Sequence, residues 1–372
     1  RMKNEELLYT LALTRIPGLG LIGARRLLLA IGDQLTDLFK HPHEVLQSLP
    51  ESTHKLEAAL KCPEILRLCE AELAFAEKNQ IRCLSIHDEE YPSRLRDCDD
   101  APLVLFYKGN ADLNRLHVIS MVGTRHATDY GKDLCTRFVR ELKELVPDVL
   151  IVSGLAYGID IHAHRAALQY KADTIGVLAH GLDRIYPAVH RLTAAEMIHH
   201  GGLLTEYPSG TNPDRQNFIR RNRIVAGISD ATIVVESAEK GGALITADIA
   251  DSYHRDCFAF PGRVGDTYST GCNNLIRNNR AALLQSAEDF VKAMNWSCGE
   301  HRPTIVQRQL FPDLNEEESL ICSLLEKNPD GMQLNSLIVA SNIPVNRLAG
   351  IMLELELKGV VRAAAGGMYR LL

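Results

Sequence analysis

The chain has 372 residues, 46% of them hydrophobic and 24% charged, and a net charge of −6. That length calls for two or three domains with ordinary buried cores, and no apolar run approaches the ~20 residues of a membrane span. The N-terminus lacks a signal-peptide apolar core. The nine cysteines (62, 69, 83, 98, 135, 257, 272, 298 and 322) form no CxxC and no zinc-spaced cluster. The expectation is therefore a cytoplasmic protein with reduced thiols, no metal, no cofactor and no membrane contact.

Residues 1–80 are helical in pattern and nearly neutral, with ten Lys/Arg against eleven Asp/Glu. They contain Gly18-Leu19-Gly20, followed by Ala24, Arg25 and Arg26. Two glycines two apart form a tight turn, and a small residue four places later lets helices pack closely. The segment resembles a helix-hairpin-helix, or SAM-like, unit whose hairpin faces a phosphate. With no excess positive charge, a packing unit that binds nothing is the stronger reading.

Residues 81–296 alternate short apolar runs with amphipathic stretches. Strands are expected at 117–121, 149–152, 174–178, 203–205, 232–235, 257–260 and 281–284, with earlier candidates at 83–86 and 103–106. Helical stretches of about 12 to 20 residues separate most of them, which is the spacing of βαβ units. The fold class is α/β: an extended Rossmann-like, doubly wound, mostly parallel sheet.

Ligands of such sheets bind beyond the carboxyl ends of the strands. Glycine-bearing turns fall there: Gly123-Thr124-Arg125, Ser153-Gly154, Gly241-Gly242-Ala243, Pro261-Gly262 and Gly271-Cys272-Asn273. Glycine permits close backbone approach, and each following helix offers free N–H groups. Between them, Arg215-Gln216-Asn217-Phe218-Ile219-Arg220-Arg221-Asn222-Arg223 packs four arginines and one aromatic into nine residues without an acid. Guanidinium forks grip phosphate oxygens, and a phenyl face can take a base. The first βα turn is not GxGxxG, and no Walker A sequence exists, so dinucleotide and P-loop nucleotide sites are poor fits.

Taken in order, these blocks, with Gly181-Leu182-Asp183-Arg184-Ile185-Tyr186-Pro187, resemble the bacterial DNA-processing protein A family (DprA, also called Smf). The match runs from about 90 to 290. Gly242-Ala243 departs from it, since members often carry a small hydroxyl residue there. The resemblance implies a non-enzymatic single-stranded DNA-binding protein. Such a protein protects incoming strands in natural transformation, helps displace single-strand-binding protein and loads the RecA recombinase. It implies a homodimer through the Rossmann-like domain.

Carried onto this sequence, Arg125 and Arg215 would hold phosphates and Phe218 would stack on a base. Gly123, Thr124, Ser153, Gly154, Gly241, Gly242 and Ala243 would supply the cradle. Arg220, Arg221, Asn222 and Arg223 complete the DNA-binding set. Arg221 and Arg223 have a second reading, as partners of Asp160, Glu206 or Glu236. Phe218 has one as a core anchor.

A linker is expected at 297–312. Residues 313–372 then read as a winged helix: helices at 316–327 and 333–340, a third opened by Pro344, and a two-stranded wing. Five Lys/Arg against eight Asp/Glu make it a poor partner for a phosphate backbone. It reads as a protein-contact or autoregulatory module. The competing function is a nucleotide-binding or phosphoribohydrolase-like enzyme on the same fold. Its PGGxGTxxE loop would fall on Lys240–Asp248, where Leu244 and Ile245 replace Gly and Thr, and Asp248 replaces Glu.

Overall fold

The structure is a computed structural model that describes residues 2–49, 54–296, 314–328, 331–364 and 367–371. The expected linker, 297–312, lies outside the described residues. The chain forms two compact units, 1–299 and 300–372.

Among the described residues, six helices come first: α1 (Met2–Leu13), α2 (Gly20–Ile31), α3 (Leu35–Lys40), α4 (Pro42–Gln47), α5 (His54–Leu60) and α6 (Pro63–Lys78). Gly18 and Gly20 take positive φ (80° and 63°), so the turn into α2 uses the left-handed backbone that only glycine adopts freely. Ala24 is fully buried, as the expected hairpin requires. Arg25 does not face a ligand. Its guanidinium donates to the Arg96 and Cys98 carbonyls and lashes α2 to the sheet domain. Residues 1–80 and the sheet share one buried core.

The sheet holds β1 (Arg82–Ser85), β2 (Val104–Gly109), β3 (Val118–Val122), β4 (Leu150–Ser153), β5 (Asp173–Val177), β6 (Gly201–Thr205), β7 (Ala231–Val234), β8 (Asp256–Ala259) and β9 (Ala282–Leu283). Their order is β1-β2-β6-β5-β4-β3-β7-β8-β9. From β3 to β9 every pairing is parallel, while β1 and β2 add antiparallel at one edge. The chain steps from β3 to β6 in one direction, then returns to lay β7, β8 and β9 on the other side of β3. The β3–β7 junction is thus the switch point where open α/β sheets place their ligands.

The connecting helices are α7 (Ser93–Arg96), α8 (Asp129–Leu145), α9 (Ile159–Gln169), α10 (Arg191–Met197), α11 (Arg215–Gly227), α12 (Gly242–Ser252), α13 (Thr270–Arg277) and α14 (Ala287–Ala293). Strand alternation sorts them into layers. Ile119 and Met121 of β3 join Phe138 of α8, Ile159 of α9 and Phe290 of α14. Val118 and Val122 join Ile224 and Val225 of α11 on the other face. Ser120, on that second face, shares a 2.8 Å hydrogen bond with Thr232.

The second unit contains α15 (Glu316–Glu326), β10 (Met332–Gln333), α16 (Leu334–Ser341), α17 (Val345–Leu357), β11 (Val361–Ala364) and β12 (Met368–Leu371). It is the expected winged helix with one addition. The two-residue β10, too short to show a period in the sequence, pairs with β12. Ala365 and Gly366 of the expected wing lie outside the described residues.

Candidate nucleic-acid interface

The turn after β3 and the carboxyl ends of β4 and β5 meet α11 beside the switch point. Asp214 starts α11 by accepting the Asn217 N–H at 2.8 Å, which satisfies one orphan donor of the first turn. The helix then sends its side chains two ways. Arg215, Arg220 and Ile219 are exposed, Phe218 is half-buried, and Arg221 and Arg223 are buried.

Arg221 turns inward. Its Nη1 donates to the Gly154 carbonyl at 2.6 Å and to the Val177 carbonyl, and its Nε donates to Asn222 at 3.2 Å. It thereby ties α11 to the ends of β4 and β5. Arg223 makes a two-pronged pair with Glu206, 2.6 Å on each prong, and reaches the Asp100 carbonyl. Both arginines therefore leave the set of exposed contacts and take the bracing role. Asn222, half-buried, accepts from Arg221 through its side-chain oxygen.

The turn after β4 is also spent internally. The Ser153 hydroxyl donates to the Met121 carbonyl at 2.6 Å, and the Gly154 N–H donates to the buried Asp160 carboxylate at 3.1 Å. These two residues, expected as phosphate donors, use the Ser153 hydroxyl and the Gly154 N–H to hold the loop. Next in line, the Leu155 N–H donates to His164 Nε2 at 3.2 Å, and His164 Nδ1 bonds Thr174 at 2.7 Å. Burial pushes His164 down to about 3, with His190 and Arg221 acting in the same direction, so it is neutral here. Burial also lowers His180 and His190. Both ring nitrogens of His164 are thus engaged inside the protein.

The turn after β3 is joined to the turn after β7. Thr124 N–H donates to the Glu236 carbonyl at 2.8 Å, and the Glu236 carboxylate accepts from Thr128 at the start of α8. A side chain at Gly123 would strike Ile159 and the Glu236 carbonyl, so glycine is required there by packing. Arg125, by contrast, is exposed, and its guanidinium lies 5.2 Å from the centre of the Phe218 ring. Arg221 lies 5.7 Å from the same ring. Arg215 stands one helical turn before Phe218 and shares its face, whereas Arg220, two positions away, does not.

Among the described residues, Arg125, Arg215 and Arg220 have no carboxylate partner, unlike Arg223. Gly241 donates to Ala238, and Gly242 opens α12 in open space, where a methyl group would meet nothing. Ala243 is buried beneath it.

Tyr186 was not singled out in the sequence. Its half-exposed ring sits 5.9 Å from that of Phe218, and its N–H is held by His180. An aromatic inside a turn rich in Gly, Asp and Pro was the available signal.

The fold and this edge define the class: a Rossmann-like core with a basic, aromatic switch point, joined in one chain to a winged helix. Residues 82–295 match the model of DNA recombination-mediator protein A, and residues 308–367 that of the DprA winged helix domain. The chain belongs to the DNA recombination-mediator protein A (DprA/Smf) family. Protein Smf of Synechocystis sp. is 35% identical over 290 residues, covering 76% of this chain and 71% of the relative. The X-ray structure of DNA processing protein A from Streptococcus pneumoniae aligns with a TM-score of 0.57 at 35% identity, over 70% of this chain and 92% of that one. DNA processing protein A from Helicobacter pylori, in a structure described for its single-stranded DNA binding mode, aligns with a TM-score of 0.53 at 29% identity, over 58% of this chain and 96% of that one.

Proposed function

We propose that the protein binds single-stranded DNA without chemistry, at the edge formed by Arg125, Arg215 and Phe218. The observation that carries this is the pairing of Arg125 with a partly buried Phe218 ring at the sheet's switch point, with neither Arg125 nor Arg215 neutralised by an acid among the described residues. One strand can place a phosphate on each arginine and a base against the ring. Arg220, on another helix face, extends the positive field, and the Gly242 and Ala243 N–H groups offer a further phosphate contact. Similarity to the Helicobacter pylori protein supports the choice of ligand.

Within this reading, residues 81–296 carry the strand, residues 1–80 brace that core, and residues 313–372 act as a separate module beyond the linker. The cell's use is DNA processing in natural transformation. There the protein, as a cytoplasmic homodimer through its Rossmann-like core, protects incoming strands, helps displace single-strand-binding protein and loads RecA. Two acids weigh against the enzymatic alternative. Asp248 is paired with Arg280, and Glu236 is committed to Thr128. Titration of oligo-dT against duplex DNA of equal length tests the reading: the single strand should bind far better, and equal or stronger duplex binding would reject it.

A further inference from the structure

In helix-turn-helix folds, the second helix of the pair enters the major groove, and its exposed side chains meet bases and phosphates. In the winged-helix unit α17 holds that place. Its exposed positions include Val345, Ala349, Leu353 and Leu357, spaced four apart, so they run as one stripe along the helix. Val345 is 55% exposed, Leu353 58% and Leu357 80%. The cations beside them are engaged. Arg347 bonds Glu317 at 3.0 Å, and Lys358 bonds both oxygens of Glu318 at 2.8 and 2.9 Å. Exposed Glu354 and Glu356 border the stripe instead. The opposite face, Leu348, Ile351, Met352 and Leu355, already fills the unit's core. The outer stripe is therefore surplus to folding.

We propose that this outer face of α17 docks a cationic amphipathic helix of a protein partner. Apolar side chains of the partner would cover Val345, Leu353 and Leu357, and Lys or Arg on its flanks would meet Glu354 and Glu356. Charge selects this occupant. A DNA groove or an anionic lipid surface meets the same carboxylates as repulsion. A second copy packed symmetrically through α17 sets Glu354 and Glu356 against their own kind. A helix with basic flanks turns the same acids into attraction, and the i, i+4 stripe matches the apolar seam of a helix laid along α17.

The test uses the full chain and a labelled 21-residue peptide helix with a leucine seam and lysine flanks, beside a twin with glutamate flanks. The lysine peptide should bind saturably. The glutamate twin should bind at least about tenfold more weakly, as should the lysine peptide to the Leu353→Ser/Leu357→Ser double variant. Tenfold corresponds to about 1.4 kcal/mol. Both positions are exposed, so melting should stay unchanged, and Val339→Ser, on the neighbouring helix, should bind normally. Equal binding of the two peptides, or binding undiminished in the double variant, overturns the proposal. So does duplex DNA binding, anionic vesicle binding or self-association that disappears with Leu353 and Leu357, because each assigns the face to a different occupant.

Discussion

Arg221 fills the space that a side chain at position 154 would need. Its Nη1 accepts no alternative place, being bonded to the Gly154 and Val177 carbonyls, and a Cβ at 154 would fall 2.5 Å from that nitrogen. Gly154 and the arginine thus depend on one another, and together they fix the height of α11 above β4 and β5. Gly154→Ala should cost about 1–3 kcal/mol of stability through overpacking. Urea midpoints measure it, and a midpoint equal to that of the unsubstituted protein would show that the loop yields freely.

The four arginines of α11 should separate into two kinds by salt. Arg215→Ala, like Arg125→Ala, should weaken binding to every single-stranded sequence and lower the slope of log K against log salt by about 0.7, the loss of one phosphate contact on a single strand. Arg223→Ala should leave that slope alone. It should instead cost several kcal/mol of stability, up to about 3–5, because Glu206, its side chain only 16% exposed, is left unpaired. A changed slope with normal stability for Arg223→Ala would return that residue to the strand.

This division marks where the sequence stops being legible. The inner strands β2 to β7 stand out as apolar runs, because a doubly wound sheet buries its central strands on both faces; the edge strands β1 and β9 keep exposed residues and are the weaker signals. The arginine cluster also stands out. Which arginines are free does not, since the neutralising partner of Arg223 is Glu206 and the carbonyls that hold Arg221 belong to residues 154 and 177. Those contacts exist only after β4, β5 and α11 have assembled. Two of the glycine turns are ambiguous for the same reason. A side chain at Gly123 would strike Ile159 and one at Gly154 would strike Arg221, so packing alone already requires glycine there. Tyr186 comes beside Phe218 from 32 positions away, and no spacing announces it.

Acid should loosen this same region. His164 is held near 3 when folded, against 6.5 for the ordinary group. A histidine depressed on folding gives its full stability above pH 6.5 and loses it as pH falls from 6.5 toward 3. His162, His180 and His190, also lowered by burial, act in the same sense. Each such proton weakens folding by up to about 1.4 kcal/mol per pH unit. Urea midpoints should therefore fall between pH 7.5 and 5.5. His164→Gln, whose amide can still accept from Leu155 and donate to Thr174, should flatten the profile. A pH-independent midpoint in the unsubstituted protein would contradict the burial argument.

Phe218 offers the sharpest separation of stacking from packing. Its ring is half-buried, with guanidinium groups 5.2 and 5.7 Å from its centre and the Tyr186 ring at 5.9 Å. A core anchor lost to alanine costs about 3–5 kcal/mol of stability. A ring only partly buried should cost less, while single-strand affinity should fall by about 1–3 kcal/mol. Phe218→Trp should keep the affinity, because a larger π-face still meets a base and an open site has room for it. Abasic strands sharpen the contrast: they should bind the unsubstituted protein and Phe218→Ala alike, since neither has a base to stack. Thermal melts and oligo-dT titrations on the variants decide it. A large fall in melting temperature for Phe218→Ala, with normal affinity in the folded fraction, would make the ring a packing residue and leave Arg125 and Arg215 to hold the strand by charge.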